Sequence, residues 1–146
     1  MLFRSEEATG QRALTEQFVP AWRRGDEEAR LDVAYAARDG ATSYADVVVS
    51  HPCAAHVVRQ AAVIPGHAAS TAEKGKHRRY PGGRLVPVSV EVGGRSGDAH
   101  LLLQRSMCRA LPAAERTMRL SRWRQRVAVC LQRGNAQLLR SAVGTQ

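Results

Sequence analysis

The chain has 146 residues, of which 44% are apolar and 24% charged; this argues against a disordered chain and against two independent domains, and points to a single globular domain. Its 22 Lys and Arg against 13 Asp and Glu leave a formal charge of +9, and the dominance of arginine favours a polyanionic partner, nucleic acid first, over a merely solvated basic surface. Cys53, Cys108 and Cys130 include no C-x-x-C pair, which argues against a disulfide framework or zinc ribbon, and no run reaches the ~18 apolar residues of a membrane span, so the chain reads as intracellular with no membrane partner.

Residues 5–19 are patterned as a helix, with Ser5 as N-cap, glutamates in the first turn, and Ala13, Leu14 and Phe18 along one side. Pro20 ends it, and Trp22 to Glu28 is a charged connection. In residues 30–50, Leu31, Val33 and Tyr35 alternate with Arg30, Asp32 and Ala34. After Arg38-Asp39-Gly40, Ala45, Val47 and Val49 alternate with Tyr44, Asp46 and Val48. Period-two alternation about a short glycine turn predicts a β-hairpin. If the turn has three residues with glycine left-handed, Ala37 pairs with Ala41, and counting back sets Asp32 directly opposite Asp46. A two-residue turn would put them on opposite faces.

Cys53 to Ile64 is expected to form a short buried helix, with Cys53 in the core, and residues 68–80 a cationic helix ended by Pro81-Gly82-Gly83. Leu85 to Val92 is the most strand-like run, although Pro87 is awkward in a central strand. Helices follow over 101–111 and 113–143, the latter as one helix or as two meeting near Gly134-Asn135. In the last segment Leu120, Trp123, Val127, Leu131 and Leu138 form an apolar stripe, and Arg116, Arg119, Arg122, Arg124, Arg126, Arg133 and Arg140 occupy the other faces. The expected fold class is α/β (α+β): a small mixed sheet with a central hairpin flanked by helices and a helical C-terminal extension. Residues 1–29 form an N-terminal helix and connection, 30–95 the core and 96–146 the extension.

A carboxylate in a half-buried strand is costly unless it is paired. Two of them facing each other across a hairpin suit one divalent cation, which takes one or two carboxylates plus waters and phosphate oxygens. The alternative is that each is a solvent-facing strand residue paired with an arginine such as Arg30. His51, Cys53 and His56 lack the spacing of a structural zinc site. No nucleophile elbow, Walker loop or dinucleotide fingerprint is present.

The series L-D-V, hairpin, A-D-V-V-V, then K-x-x-x-Y (Lys76 to Tyr80) and LVPVSVEVGGR resembles the restriction-like endonuclease domain at the C-terminal end of some non-LTR retrotransposon proteins, a branch of the PD-(D/E)xK nuclease superfamily. It is also similar to orphan reading frames carrying the same series in retroelement-rich genomes. The likeness covers residues 30–95 and is weaker in the C-terminal helices. It implies a restriction-endonuclease-like fold and a DNA endonuclease dependent on Mg²⁺ or Mn²⁺, reverse transcriptase-associated and nuclear, with Asp32 and Asp46 as metal ligands. The superfamily's usual lysine lies two residues after the second acid, which is Val48 here; in the retrotransposon branch it moves to the following helix, pointing to Lys76, with Lys74 as runner-up. Leu31 stands where proline is usual. The N-terminal helix of such nucleases often supplies a further acidic residue; Glu16 is the best candidate, with Glu6, Glu7 and Glu91 as alternatives. Arg78, Arg79, Tyr80, Arg95, Arg122 and Arg126 are expected to contact DNA. The zinc-knuckle cysteines and the reverse transcriptase that usually precede such a domain are missing from the sequence, as in a stranded terminal fragment, and other parts of a retroelement protein are candidate partners. Two further readings stand beside this one: a catalytically inactive nucleic-acid-binding remnant, and a helical protein-interaction module docking through the Trp123 stripe.

Overall fold

The computed structural model describes residues 13–37 and 39–143. Strands β2 (Arg30–Ala36) and β3 (Thr42–Ser50) pair antiparallel. Their turn is the three-residue closure expected. The Ala37 N–H donates to the Ala41 carbonyl at 2.8 Å and the Gly40 N–H to the Ala37 carbonyl at 3.0 Å. Gly40 adopts φ 77°, a left-handed conformation that costs glycine little. Asp39 accepts the Ala41 N–H at 3.0 Å and an Arg84 N–H at 2.9 Å, and both interactions hold its carboxyl below the usual carboxylate range.

Along the other side of β2 runs β1 (Ala13–Phe18), also antiparallel. The helix expected over residues 5–19 is therefore a strand in its described part, and Ser5 lies outside the described residues. Ala13, Leu14, Glu16 and Gln17 favour helix individually, but β2 would otherwise present unpaired backbone groups along one edge, and tertiary pairing outweighs propensities of a few tenths of a kcal/mol. The sheet thus begins before residue 30.

Parallel pairing of the next strand requires a crossover. Its first part, expected as a buried helix over Cys53–Ile64, is instead a single turn, α1 (Val58–Ala61). Pro52 and Pro65 bracket it, Val57 is buried, and Val63, Ile64 and Cys53 are exposed. The second part is α2 (His67–Arg79), which delivers the chain to β4 (Leu85–Glu91), parallel to β3. The sheet order is β1-β2-β3-β4.

That order explains Pro87. On β4 the Ser89 carbonyl accepts the Gly97 N–H at 3.0 Å, and the Glu91 N–H donates to the Arg95 carbonyl at 2.7 Å. Alternate residues therefore direct their backbone groups away from β3. Pro87 is in phase with them, so its missing N–H removes no bond to β3. Segment 95–97 covers the same edge further along.

Two helices follow, α3 (Asp98–Cys108) and a single 31-residue α4 (Ala113–Val143) with Gly134 inside it. Among the described residues no helix is long and apolar enough to cross a membrane. One apolar cluster joins Val19, Ala29, Leu31, Tyr80 and Leu85 with Trp22 and Tyr44; a second joins Val33, Ala45 and Val88 with Leu103 of α3. The seam between α2, β4 and α3 is polar: Glu73 accepts the Ser89 hydroxyl at 2.7 Å and the Ala99 N–H at 3.1 Å. Beside it His100 is buried, with Nε2 2.9 Å from Gln104 Nε2, and burial lowers its pKa. Gly97 leaves no room at this seam, because a Cβ there would overlap the Ser89 hydroxyl and the Glu73 carboxylate. Gly97→Ala is expected to destabilise the fold by about 2 kcal/mol through overpacking, measurable as a lowered midpoint in urea.

Candidate active site

The hairpin register places Asp32 opposite Asp46. The ladder pairs Val33 with Ala45 and continues through Ala34–Tyr44 and Tyr35–Ser43, so one step outward brings the two aspartates face to face. The ladder stops there because the Asp32 side chain replaces it: Oδ2 accepts the Val47 N–H at 2.6 Å. Asp32 is exposed at the rim, whereas Asp46 is only 4% exposed.

Opposite Asp46 stands Lys76, whose ammonium forms an ion pair with Asp46 Oδ2 rather than a hydrogen bond of regular geometry. Its place follows from the helix: Ala69, Glu73, Lys76 and Tyr80 recur at steps of three and four, so they share the face of α2 turned to the sheet. Glu73 reaches Ser89 and Tyr80 enters the core. Trp22 fixes the end of that face. Its ring lies 5.4 Å from Tyr44 and 5.5 Å from Tyr80, and its indole N–H donates to the Pro81 carbonyl at 2.7 Å. Lys76 Nζ is 5.9 Å from the Tyr80 ring centre. Trp22 and Tyr44 carried no pattern in the sequence that would assign them this role.

The electrostatics are those of a carboxylate short of positive charge. Burial raises the Asp46 pKa, the Lys76 ammonium opposes the shift, and the charge and hydrogen bonding of Asp32 push it up again. Burial prevails over the single ammonium. The folded protein therefore holds this proton to a higher pH than the unfolded chain does. Stability falls as pH rises from the ordinary carboxylate range through the raised value, because there the folded state binds more protons than the unfolded one. A hard divalent cation beside the two carboxylates would remove that penalty, and an all-oxygen donor pair suits Mg²⁺ or Mn²⁺. Asp32 and Asp46 are the residues able to hold it.

Neutralising Asp32 alone separates this account from a purely structural one. In Asp32→Asn the amide oxygen still accepts the Val47 N–H while the repulsion on Asp46 disappears. Melting without metal is expected to rise by roughly 2–4 °C, from about 0.5–1 kcal/mol of relieved repulsion at a partly exposed site. A scanning calorimetry series checks this.

The other expected site residues are distributed differently. Glu16 lies opposite Asp32 in the β1–β2 register, but its φ of 53° interrupts the strand and its side chain is exposed. Among the described residues no group of three or more His, Cys, Asp and Glu converges as a metal cage. Lys74 is exposed and lines a cavity on the flank of α2, away from the aspartates. Tyr80, expected to contact DNA, is buried in the core. Arg79 pairs with Glu27 at 2.6 Å, Arg95 stands 3.8 Å from Glu91, and Arg78, Arg122 and Arg126 are exposed. Cys53, expected in the core, is exposed, and its N–H donates to His51 Nδ1 at 3.1 Å.

No protein-family model, curated protein or solved structure matches this chain.

Proposed function

We propose that the protein is a metal-dependent DNA endonuclease of the restriction-like, retroelement-associated kind. The observation that carries this reading is the buried Asp46 placed between the Asp32 carboxylate and the Lys76 ammonium. The mixed sheet with its central hairpin, and an amine arriving from the following helix where β3 has Val48, support it further. A bound Mg²⁺ or Mn²⁺ would polarise the phosphodiester and lower the pKa of an attacking water. Asp32 and Asp46 would hold that charge in place, Asp46 from a desolvated position and Asp32 from the exposed rim. Lys76 is positioned to offset the negative charge that accumulates on phosphorus oxygens during in-line displacement.

The substrate's polyanionic backbone meets a matching surface on α4. At about 100° per residue, Arg119, Arg122, Arg126, Arg133 and Arg140 fall within an arc of about 60°. They span about 32 Å of helix, close to one turn of B-form DNA. All five are exposed, and Glu115 is the only acid on the helix. Of the apolar stripe, Leu120, Trp123, Val127 and Leu131 are half-buried on a different face, whereas Leu138 is exposed, which leaves the end of α4 as the part open to the interaction-module reading. DNA affinity is expected to fall with salt at a log–log slope of about −4.5 at most, and Arg122→Ala with Arg126→Ala should flatten it by about 2. Fluorescence anisotropy across a salt series measures both. A nuclear setting would present such a substrate.

The test is incubation of supercoiled plasmid with Mg²⁺ or Mn²⁺ against a chelator control. Metal-dependent nicking is expected. If DNA binds through α4 but is not cut with either metal, the non-catalytic remnant is the correct reading; Val48 and the exposed Glu16 are the observations that favour it.

A further inference from the structure

Away from the aspartates lies a cavity of about 820 Å³ formed by the flank of α2, the β4–α3 turn and α4. Its volume is that of a small-molecule site. Lys74 is two residues from Lys76, about 200° further round the helix, so α2 presents one amine to the sheet and the other to this cavity.

The lining is chemically mixed. Lys74 comes from α2, Arg95 from the turn and Arg124 from α4, and Ser70 and Ser96 add hydroxyls. Gly66, at φ 82°, starts α2 so close to the turn that a Cβ there would stand 3.4 Å from the Arg95 side chain. Against these three cations the cavity has one carboxylate, Asp98. Arg95 also stands 3.8 Å from Glu91, while Lys74 and Arg124 have no acidic partner among the described residues. The lining also includes the apolar side chains of Ile64, Leu101 and Val127. Separate elements thus bring three cations, two of them without an acidic partner among the described residues, together with two hydroxyls and apolar side chains around one space. That combination suits a phosphate attached to a flat, weakly polar body.

We infer that this cavity binds a nucleotide, its phosphate against Lys74, Arg95 and Arg124 and its base against Ile64, Leu101 and Val127. The nucleotide is either free or part of a nucleic-acid strand. The site is separate from the α4 arginine stripe, since Arg124 lies on another face of that helix, and it requires neither metal nor cleavage.

Titration calorimetry in chelator tests this with four probes: dAMP, deoxyadenosine, inorganic phosphate and a short oligodeoxyadenylate. The expected result is sub-millimolar binding of dAMP, with deoxyadenosine and inorganic phosphate each at least about tenfold weaker. Arg124→Glu, an exposed helical position whose folding is checked by circular dichroism, should weaken dAMP by about tenfold or more. Asp46→Asn should leave it unchanged. Tighter binding of the oligonucleotide, also lost in Arg124→Glu, assigns the site to a strand; equal or weaker binding assigns it to a free nucleotide. No binding of any probe at about 10 mM, phosphate binding as tightly as dAMP, or undiminished dAMP affinity in Arg124→Glu overturns the inference. Failure of plasmid nicking would not touch it, because every arm is metal-free.

Discussion

Asp46→Asn is expected to abolish metal-dependent nicking, by a factor of about 10³ or more, while DNA binding in chelator stays the same or tightens slightly. The factor follows from losing several kcal/mol of stabilisation of the charge that develops on phosphorus, at about 1.4 kcal/mol per tenfold. Asparagine is the same size and keeps an oxygen, so the packing of this buried position is little disturbed. Removing one negative charge cannot weaken attraction for a polyanion. A single-turnover cleavage assay paired with anisotropy binding separates the two effects. Loss of both together would mean that Asp46 supports the fold and not the chemistry.

Lys76→Ala is expected to lower both cleavage and stability. Cleavage should fall by about 10²–10³, the usual cost of removing one preorganised donor from a developing oxyanion. Stability near neutral pH should fall by about 2 kcal/mol: breaking a buried pair costs more than this when both partners are enclosed, but Lys76 retains 27% side-chain exposure. The pH dependence carries the diagnosis. With the ammonium gone, burial and Asp32 act on Asp46 unopposed and its carboxyl rises further. The variant should therefore lose stability over a wider pH interval on the alkaline side of the ordinary carboxylate range. Millimolar Mg²⁺ should raise the melting temperature more in Lys76→Ala than in the wild type, because the cation then takes the place of the lost ammonium beside Asp46. Melting curves from acid to neutral pH, with and without Mg²⁺, measure all of this.

The hairpin and its facing aspartates were legible because one local feature decides them: a glycine that can turn left-handed sets the loop at three residues, and loop length sets the register. The lysine helix was legible from its stop at Pro81. Elsewhere, distant partners decided the outcome. Ala13 to Phe18 reads as helix and becomes a strand because β2 has an edge to fill. Pro87 reads as a fault until β4 is seen to be an edge strand. Tyr80 reads as a surface aromatic in a basic helix, yet it packs with Trp22 and Tyr44 from segments far away in the chain. The inward turn of Lys76, and not of Lys74, follows from the phase of α2 against the sheet. That phase is set by Ala69, Glu73 and Tyr80 together, and no single residue reveals it.

Direct titration of Mn²⁺ followed by electron paramagnetic resonance tests most directly whether Asp32 and Asp46 hold one divalent cation. The expected result is one bound Mn²⁺ per chain, with affinity rising as pH passes through the raised carboxyl range of Asp46, and loss of that ion in both Asp32→Asn and Asp46→Asn. Undiminished Mn²⁺ binding in either variant, or no bound Mn²⁺ in the folded wild-type protein at neutral pH, would contradict it.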